Sequence, residues 1–158
     1  FTETFKKVSA AFNETFQQIF AGGQAKLVLT DPHDLLNTGV DIMAQPPGKK
    51  NQHMNLLSGG ERALTAITLL FAILKVRPVP FAILDEPEAA LDEVNVQRFA
   101  NYLNRFGKTG PQFIVITHRK GTMMGANFLY GVTMQESGVS KMVSVDVVEN
   151  LNEENKEE

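Results

Sequence analysis

Apolar residues recur every three or four positions across residues 1–20. The successive spacings are four, three, four, four and three, and the residues are Phe1, Phe5, Val8, Phe12, Phe16 and Ile19. This period predicts an amphipathic helix, because residues three and four apart lie on one helical face. The spacing is also close to that of a coiled-coil seam. Two interpretations stay open: a helix packed on its own domain, and the end of a coiled coil that docks on a globular body.

Shorter patterns follow this helix. Residues 26–29 are largely apolar and precede a turn-prone Thr-Asp-Pro sequence, and residues 40–44 alternate between two faces before Pro46-Pro47-Gly48. Both patterns predict strands. The polar residues 49–55 predict a loop.

The middle of the chain combines two helical and two strand-like patterns. Residues 61–76 are apolar on almost every face, which predicts a helix buried deep in the domain. Residues 81–84 and 113–116 are continuous apolar runs, as expected for parallel strands covered on both faces. Residues 94–106 have the period of an amphipathic helix and connect them, so a right-handed βαβ crossover is predicted.

The last patterns close the fold. Residues 128–134 and 142–148 predict an antiparallel strand pair, and the acidic residues 149–158 predict a disordered tail. The whole pattern predicts an α/β fold, with one globular domain over residues 21–148.

Composition narrows the function classes. The 158 residues carry a net charge of −3, which does not indicate a polybasic nucleic-acid-binding protein. The absence of cysteine excludes disulfides, zinc–cysteine sites and thiol catalysis. No apolar run approaches the roughly 20 residues that span a bilayer, so a cytoplasmic protein without a membrane partner is expected. The first residue is Phe rather than Met, and we expect the chain to be part of a longer protein.

A tetrad of residues, Ser58, Gly59, Gly60 and Glu61, stands at the start of the predicted central helix. Serine at the N-cap with glutamate three residues later is a capping box, which by itself indicates only a well-formed helix start. The same helix start also suits an anion, because it offers backbone N–H groups, a hydroxyl and two glycines that let a ligand approach closely. The two interpretations are compatible, and the γ-phosphate of a nucleotide is a suitable anion.

A pair of carboxylates, Asp85 and Glu86, follows the first of the two apolar strands. Open α/β sheets bind their ligands at this end of their strands. Asp85 is a candidate ligand of Mg²⁺, and Glu86 is a candidate base for an attacking water. The alternative interpretation is a solvated turn. Glu88 could replace Glu86 as the base, but one residue beyond Pro87 it is expected to point away.

Two more polar residues accompany this sheet edge. His118 follows the second strand, where it would contact a γ-phosphate; the alternative is an ordinary polar loop residue. Asp92 precedes the helix of residues 94–106 and is expected to cap it. A second interpretation of Asp92 is a loop that reaches across to another subunit.

A phosphate-binding loop is missing beside these residues. The motif G-x-x-x-x-G-K-[ST] does not occur in the 158 residues. Gly107-Lys108-Thr109 is the nearest match, but Tyr102 replaces the earlier glycine and the preceding pattern is helical. The candidate site is therefore expected to need a second polypeptide segment.

Four segments resemble one family closely. They are LSGGERALTAITLLFAI (57–73), FAILDEPEAALDEVNVQRF (81–99), ITHRKGTM (116–123) and FLYGVTMQESGVSK (128–141). They look like the C-terminal half of the ATPase head of a bacterial structural maintenance of chromosomes (SMC) protein, an ABC-type ATPase, over residues 1–148. Pro87 is a departure that is more typical of transporter cassettes.

The resemblance implies a role for each candidate residue. It implies that the signature contacts ATP held by a second head, and the signature residues are Ser58, Gly59, Gly60 and Glu61. It implies a Walker B aspartate that binds Mg²⁺, a catalytic base, a D-loop residue and a switch histidine, which are Asp85, Glu86, Asp92 and His118 respectively.

The resemblance also implies partners and an activity. The partners would be an N-terminal lobe that carries the P-loop, a second head in a homodimer across ATP, a kleisin subunit, and DNA through the full complex. The cofactors would be ATP and Mg²⁺, and the protein would be cytoplasmic and nucleoid-associated, with a role in chromosome condensation and segregation. The isolated lobe would have no ATPase activity. The alternatives are a transporter nucleotide-binding domain, a DNA-repair ABC ATPase fragment, and a non-catalytic docking platform for a kleisin.

Overall fold

The computed structural model describes residues 1–146. Its elements run in the order α1 (Thr2–Phe20), β1 (Gln24–Leu29), β2 (Val40–Gln45), β3 (Gln52–His53), a 3₁₀ helix (Met54–Leu56), α2 (Gly59–Val76), β4 (Phe81–Asp85), α3 (Glu93–Gly107), β5 (Gln112–Ile116), α4 (Lys120–Met123), β6 (Phe128–Glu136) and β7 (Val139–Asp146). The predicted tail of residues 149–158 and the last two residues of the final predicted strand lie outside the described residues. The α/β fold class, with parallel strands and a closing antiparallel pair, is confirmed.

The first helix is confirmed as α1, which packs against α2, α3 and β1. Its buried residues are Phe12, Thr15, Phe16, Ile19 and Phe20. Full burial of each phenylalanine contributes about 1.5–3 kcal/mol. The helix ends at Ala21, which is left-handed (φ 58°) and donates its N–H to the Gln17 carbonyl. The fully buried residues lie in the C-terminal half of the helix, whereas Phe5, Val8 and Ser9 in its N-terminal half are only partly buried.

A three-stranded antiparallel sheet in the order β1-β2-β3 follows α1. Gly23 (φ 75°) makes the tight connection, because a Cβ there would lie 2.2 Å from the Gln45 carbonyl oxygen. The predicted loop over residues 49–55 is wrong in its second half, which forms β3 and the start of the 3₁₀ helix. Gln52 pairs with Ala44 of β2. An edge strand can be polar in sequence, since its backbone groups pair while its side chains remain in water.

Helix α2 is confirmed, but the prediction that it is buried on almost every face is wrong. Leu70 and Ile73 are 38% and 42% exposed, whereas Leu64 and Phe71 are fully buried. The sequence is apolar over more of the helix surface than the described residues cover.

The buried side of α2 meets α3 and β5 through an aromatic cluster. The ring centroid of Phe71 lies 5.1–6.1 Å from four other rings, those of Phe99, Tyr102, Phe106 and Phe113. Stacked and edge-to-face pairs at such distances add stability beyond the area that they bury. The cluster fixes α2 relative to the β4–α3–β5 unit, which carries the candidate site.

Strands β4 and β5 are parallel, as predicted, and Leu84 pairs with Val115 in their register. The prediction that both faces are covered is wrong. Leu84 faces the core and is 8% exposed, whereas Ile83 on the opposite face is 60% exposed. The uncovered face, called here the open face, consists of Phe81, Ile83, Ile114 and Ile116. A parallel sheet normally has helices or other segments packed on both faces. The open face departs from this rule, because its apolar side chains have no layer packed over them within the described residues.

The predicted antiparallel pair is confirmed as the hairpin of β6 and β7. Gly138 (φ 82°) occupies the turn, and the register shifts between Met134 and Glu136. The short helix α4 lies between β5 and β6 and packs against α3.

Candidate functional site

The first part of the site is the loop that follows β4. Asp85 is the last, exposed residue of the strand, and Glu86 comes directly after it. Glu86 has a left-handed backbone (φ 44°), and its N–H donates to the Ile116 carbonyl at 2.9 Å. This conformation costs a non-glycine residue about 1–3 kcal/mol and persists only where its surroundings hold it. Pro87 follows in a turn closed by the bond from the Ala89 N–H to the Glu86 carbonyl at 3.1 Å.

The structure brings Glu86 and His118 together. Nδ1 of His118 lies 3.0 Å from Oε1 of Glu86, and both side chains are more than half exposed. An ionised carboxylate only accepts hydrogen bonds, so Nδ1 carries the proton of this bond. The other ring nitrogen, Nε2, is then the one left for a ligand.

Asp92 is the N-cap of α3, as predicted. Its Oδ1 accepts from the Asn95 backbone N–H at 2.9 Å, and its Oδ2 accepts from Asn95 Nδ2 at 3.2 Å. The preceding residue, Leu91, accepts at its carbonyl a hydrogen bond from the Arg119 guanidinium at 2.7 Å. The loop after β4 is therefore hydrogen-bonded to β5 and the loop after it at both ends, at Glu86 and at Leu91.

Glu88, which the sequence offered only as an alternative base, is 1% exposed. Its Oε1 accepts hydrogen bonds from the hydroxyl groups of Thr117 and Thr122, the latter at 2.8 Å. The Glu88 carboxyl is thus buried against two threonines and is not exposed beside Glu86. Its partners stand 29 and 34 residues further along the chain, so no local pattern in the sequence indicates this contact.

The signature tetrad forms the N-terminus of α2. Ser58 Oγ accepts from the Glu61 N–H at 3.4 Å, and Glu61 Oε2 accepts from the Ser58 N–H at 3.1 Å, so the capping box is present. The Ser58 hydroxyl also donates to Glu61 Oε2 at 2.8 Å, and the Lys49 ammonium lies 2.8 Å from Glu61 Oε1. Burial raises the pKa of Glu61, but hydrogen bonds from Lys49 and from Ser58 outweigh burial and lower the pKa below its ordinary value.

Gly60 links the tetrad to the loop after β4. A Cβ at Gly60 would lie 3.4 Å from Asn95 Nδ2, 3.6 Å from Asp92 Oδ2 and 3.8 Å from the Ala90 carbonyl oxygen. Gly59, in contrast, faces open space. Within residues 1–146, Ser58 makes no hydrogen bond to Asp85 or Glu86.

The fit of Mg²⁺ depends on the carboxylates beside β4. Residues 1–146 contain no group of three or more His, Cys, Asp or Glu side chains that could hold a metal. Mg²⁺ is commonly bound by one or two carboxylates together with substrate phosphates and waters. Asp85, exposed at a strand end, fits a partial ligand set of that kind. A cavity of about 400 Å³ between α1 and β1 is lined by none of the predicted site residues.

The solved structures that resemble this chain define its class. It superimposes with a TM-score of 0.84 and 39% identity on a chain from work on ATP-driven dimerization and DNA-stimulated activation of SMC ATPases, covering 98% of this chain and 92% of that one. It superimposes equally well, at 42% identity, on an Smc head bound to the C-winged helix domain of ScpA, covering 94% of this chain and 46% of that one. The fold is that of ABC-type ATPase heads.

The family follows from the sequence comparison. The model of the RecF/RecN/SMC N terminal domain family matches residues 7–141, and the chain belongs to this family. Over 149 residues it is 68% identical to the chromosome partition protein Smc of Lactiplantibacillus plantarum and 66% identical to that of Bacillus subtilis, which is 94% of this chain in both cases. The chain spans 12% of the length of each of these relatives. In the part of the chain that the structure describes, no helix is long and apolar enough to cross a membrane.

Proposed function

We propose that this chain is the C-terminal lobe of an SMC ATPase head and that it works in ATP hydrolysis only together with a lobe that carries the P-loop. The observation that carries the proposal is the pair formed by Glu86 and His118, 3.0 Å apart at the carboxyl end of β4 and β5 and next to Asp85. A carboxylate beside a histidine at this edge suits the activation of a water for attack on a phosphate.

Three observations support the assignment to one lobe. The 158 residues lack the P-loop motif. The chain covers 46% of one similar head structure but 92% of a chain from another SMC ATPase. The open face of β4 and β5 is apolar next to the carboxylates, which fits a layer supplied by another segment.

The residues at the sheet edge divide the chemistry between them. Glu86 accepts a proton from the attacking water and orients it. His118 donates from Nδ1 to the Glu86 carboxylate, and a contact of Nε2 with the γ-phosphate requires that Nε2 carries a proton as well, because an unprotonated Nε2 would present a lone pair to an anion. Asp85 contributes one carboxylate to Mg²⁺ binding. When bound, Mg²⁺ supplies charge neutralisation at the phosphates.

The signature tetrad contacts a different nucleotide from the one served by Asp85, Glu86 and His118. Ser58 and the N-terminus of α2 contact the γ-phosphate of ATP held by a second head in a homodimer. The open surface at Gly59, where an added Cβ would meet no heavy atom within 4 Å, supports this division. Asp92, next to Gly60, lies where a D-loop residue would connect the two nucleotide sites.

The wider context is proposed from the relatives. One similar head was solved with a domain of ScpA, and the curated relatives are chromosome partition proteins. We therefore assign to the complete protein a kleisin partner, DNA, and a nucleoid-associated place in the cytoplasm. The N-terminal half of α1, which is less buried than its C-terminal half, fits the end of a coiled coil, with residues 21–148 as the lobe itself.

The decisive experiment is reconstitution of the head. This chain alone is expected to show no ATPase activity, and co-expression with a P-loop lobe of the same protein is expected to restore it. Glu86→Gln keeps the shape of the side chain but removes the base, so hydrolysis should fall by at least roughly 100-fold while ATP-dependent head engagement persists. Rapid turnover by this variant would overturn the assignment of the base.

Ser58→Arg tests the second half of the proposal. A bulky side chain at the N-cap of α2 should block engagement of two heads, measured by ATP-dependent dimerisation, and leave ATP binding to the P-loop lobe intact. If the variant loses nucleotide binding itself, Ser58 serves the ATP of its own head instead.

A further inference from the structure

Glu88 joins the two loops that carry the candidate catalytic pair. It belongs to the loop of Glu86, two residues further on, and its carboxyl receives the Thr117 hydroxyl from the loop of His118. Thr117 Oγ1 in turn accepts from the Arg119 N–H at 3.0 Å, which fixes the backbone immediately after His118. Glu88 therefore contacts the sequence neighbour of His118 and shares a turn with Glu86.

The same carboxyl oxygen also holds α4. Thr122 is 5% exposed, and its hydroxyl donates to Glu88 Oε1 at 2.8 Å. The two threonines lie on either side of Arg119, whose guanidinium binds the Leu91 carbonyl at 2.7 Å. Glu88 is thus the central acceptor of a buried polar connection between the segment after β4 and the segment after β5.

Burial of this carboxyl is costly for the fold. The second oxygen, Oε2, is buried and has no hydrogen-bond partner among residues 1–146. Within the same residues, the ion pairs include none that involves Glu88. A buried polar atom without a partner lowers stability by about 1–3 kcal/mol. An apolar side chain of similar size would avoid that cost but would leave the Thr117 and Thr122 hydroxyls without their acceptor, so what the glutamate supplies is the connection between the two loops.

We propose that Glu88 is a positioning residue, which sets the distance between Glu86 and His118 by holding their two loops through Thr117 and Thr122. The inference rests on the proposed function of the Glu86–His118 pair. Glu88 is 1% exposed and contacts the hydroxyls of Thr117 and Thr122, so it acts through the two loops and not by direct contact with the reacting groups. The left-handed conformation of Glu86 needs such support, because a strained residue relaxes when its surroundings loosen.

The test uses the complete head, formed from both lobes, and compares four variants of two residues. Glu88→Met replaces the carboxyl by an apolar chain of similar length, and Glu88→Gln keeps an acceptor oxygen at the position of Oε1. Thr122→Val removes one donor at constant shape, and Thr122→Ser keeps it. For each variant, kcat, KM for ATP and the melting temperature are measured.

The expected result is a split between kcat and the other two quantities. Glu88→Met should lower kcat roughly 10- to 100-fold, because a small displacement of reacting groups has effects of this size. KM should stay within about 3-fold, since ATP contacts are untouched. The melting temperature should fall only slightly, because loss of the unpaired oxygen offsets part of the cost of leaving the two threonine hydroxyls without their acceptor. Glu88→Gln and Thr122→Ser should retain kcat within about 3-fold, whereas Thr122→Val should lower it.

Two results would overturn the inference: a Glu88→Met head with wild-type kcat, or equal kcat for Thr122→Val and Thr122→Ser. The threonine pair decides the question even if Glu88→Met fails to fold. Failure of the proposed function looks different, because a wild-type head without ATPase activity, or an active Glu86→Gln head, would refute that function whatever the Glu88 variants do.

Discussion

At the scale of single residues, the two glycines of the signature have different neighbours. A Cβ at Gly59 would meet no heavy atom within 4 Å, and one at Gly60 would make ordinary contacts at 3.4 Å and beyond. Neither glycine has a positive φ. The fold of this chain does not require glycine at either position, which fits the proposal that a second nucleotide approaches the start of α2.

Gly59→Ala is therefore expected to separate stability from function. Alanine restricts the unfolded chain, which should raise the free energy of unfolding by about 0.4–1 kcal/mol. The added methyl group should reduce ATP-dependent head engagement, measured by cross-linking or analytical ultracentrifugation. Ala66→Gly, an exposed position of the same helix, is the control: it should lower stability and leave engagement unchanged. Normal engagement of the Gly59→Ala head would remove the steric argument.

The ion pair of Glu61 and Lys49 predicts a dependence on pH. Hydrogen bonds lower the pKa of Glu61 in the folded chain below its ordinary value of 4.5. A carboxyl whose pKa is lower in the folded state than in the unfolded state stabilises the fold at pH values above the unfolded-state pKa. This stabilisation is lost as the pH falls through the pKa of the folded state. The capping box should therefore weaken as the pH falls below 4.5.

Lys49→Met tests the pair directly. It should lower the free energy of unfolding at pH 7 by about 0.2–1 kcal/mol, because Lys49 is partly exposed. The difference from wild type should shrink in acid, where Glu61 loses its charge in both proteins. Urea denaturation at several pH values measures it, and Lys50→Met, at the neighbouring exposed position, is the matched control. A difference that stays constant down to acid pH would contradict the role of Glu61.

At the scale of elements, the aromatic cluster around Phe71 is the main support of the site. It joins α2, which carries the signature, to α3 and β5, which flank the catalytic loops. Phe71→Ala should lower the free energy of unfolding by about 3–5 kcal/mol, because it leaves a cavity among well-packed rings. Leu70→Ala, one residue earlier and 38% exposed, should cost clearly less in the isolated lobe. Equal losses in chemical denaturation would mean that the cluster is not the link between these elements.

Periodicity predicted most elements, because α1, α3 and the strand pairs each follow the spacing of their own geometry. It failed for the coverage of α2 and of β4 and β5, because an apolar pattern indicates that a surface is covered but not which polypeptide covers it. The meeting of Glu86 and His118 was predictable from two neighbouring strand ends. The burial of Glu88 was not, since it depends on two threonines from a distant segment.

At the scale of the whole molecule, the open face is the surface on which we expect the proposed P-loop lobe to pack. Ile83→Lys places a charge at the centre of this face, where the side chain is 60% exposed and the isolated lobe tolerates it. Association with the P-loop lobe should be lost, because burying an unpaired ammonium is strongly unfavourable. Co-purification of the two lobes measures this. Leu36→Lys, at a loop position that is 96% exposed, should associate normally. Retained association of the Ile83→Lys lobe would place the partner elsewhere.

The open face has a further consequence, for production of the protein. Strands β4 and β5 form a two-stranded sheet within the described residues, so each has an outer edge without a partner strand there. Such edges, together with an exposed apolar face, favour association with other chains. Until a partner segment arrives, a freshly synthesised lobe is therefore prone to aggregation. The soluble yield of this chain expressed alone should be low and should rise on co-expression with its partner lobe, and a lysine at Ile83 should improve the yield of the solitary lobe while making it useless for assembly.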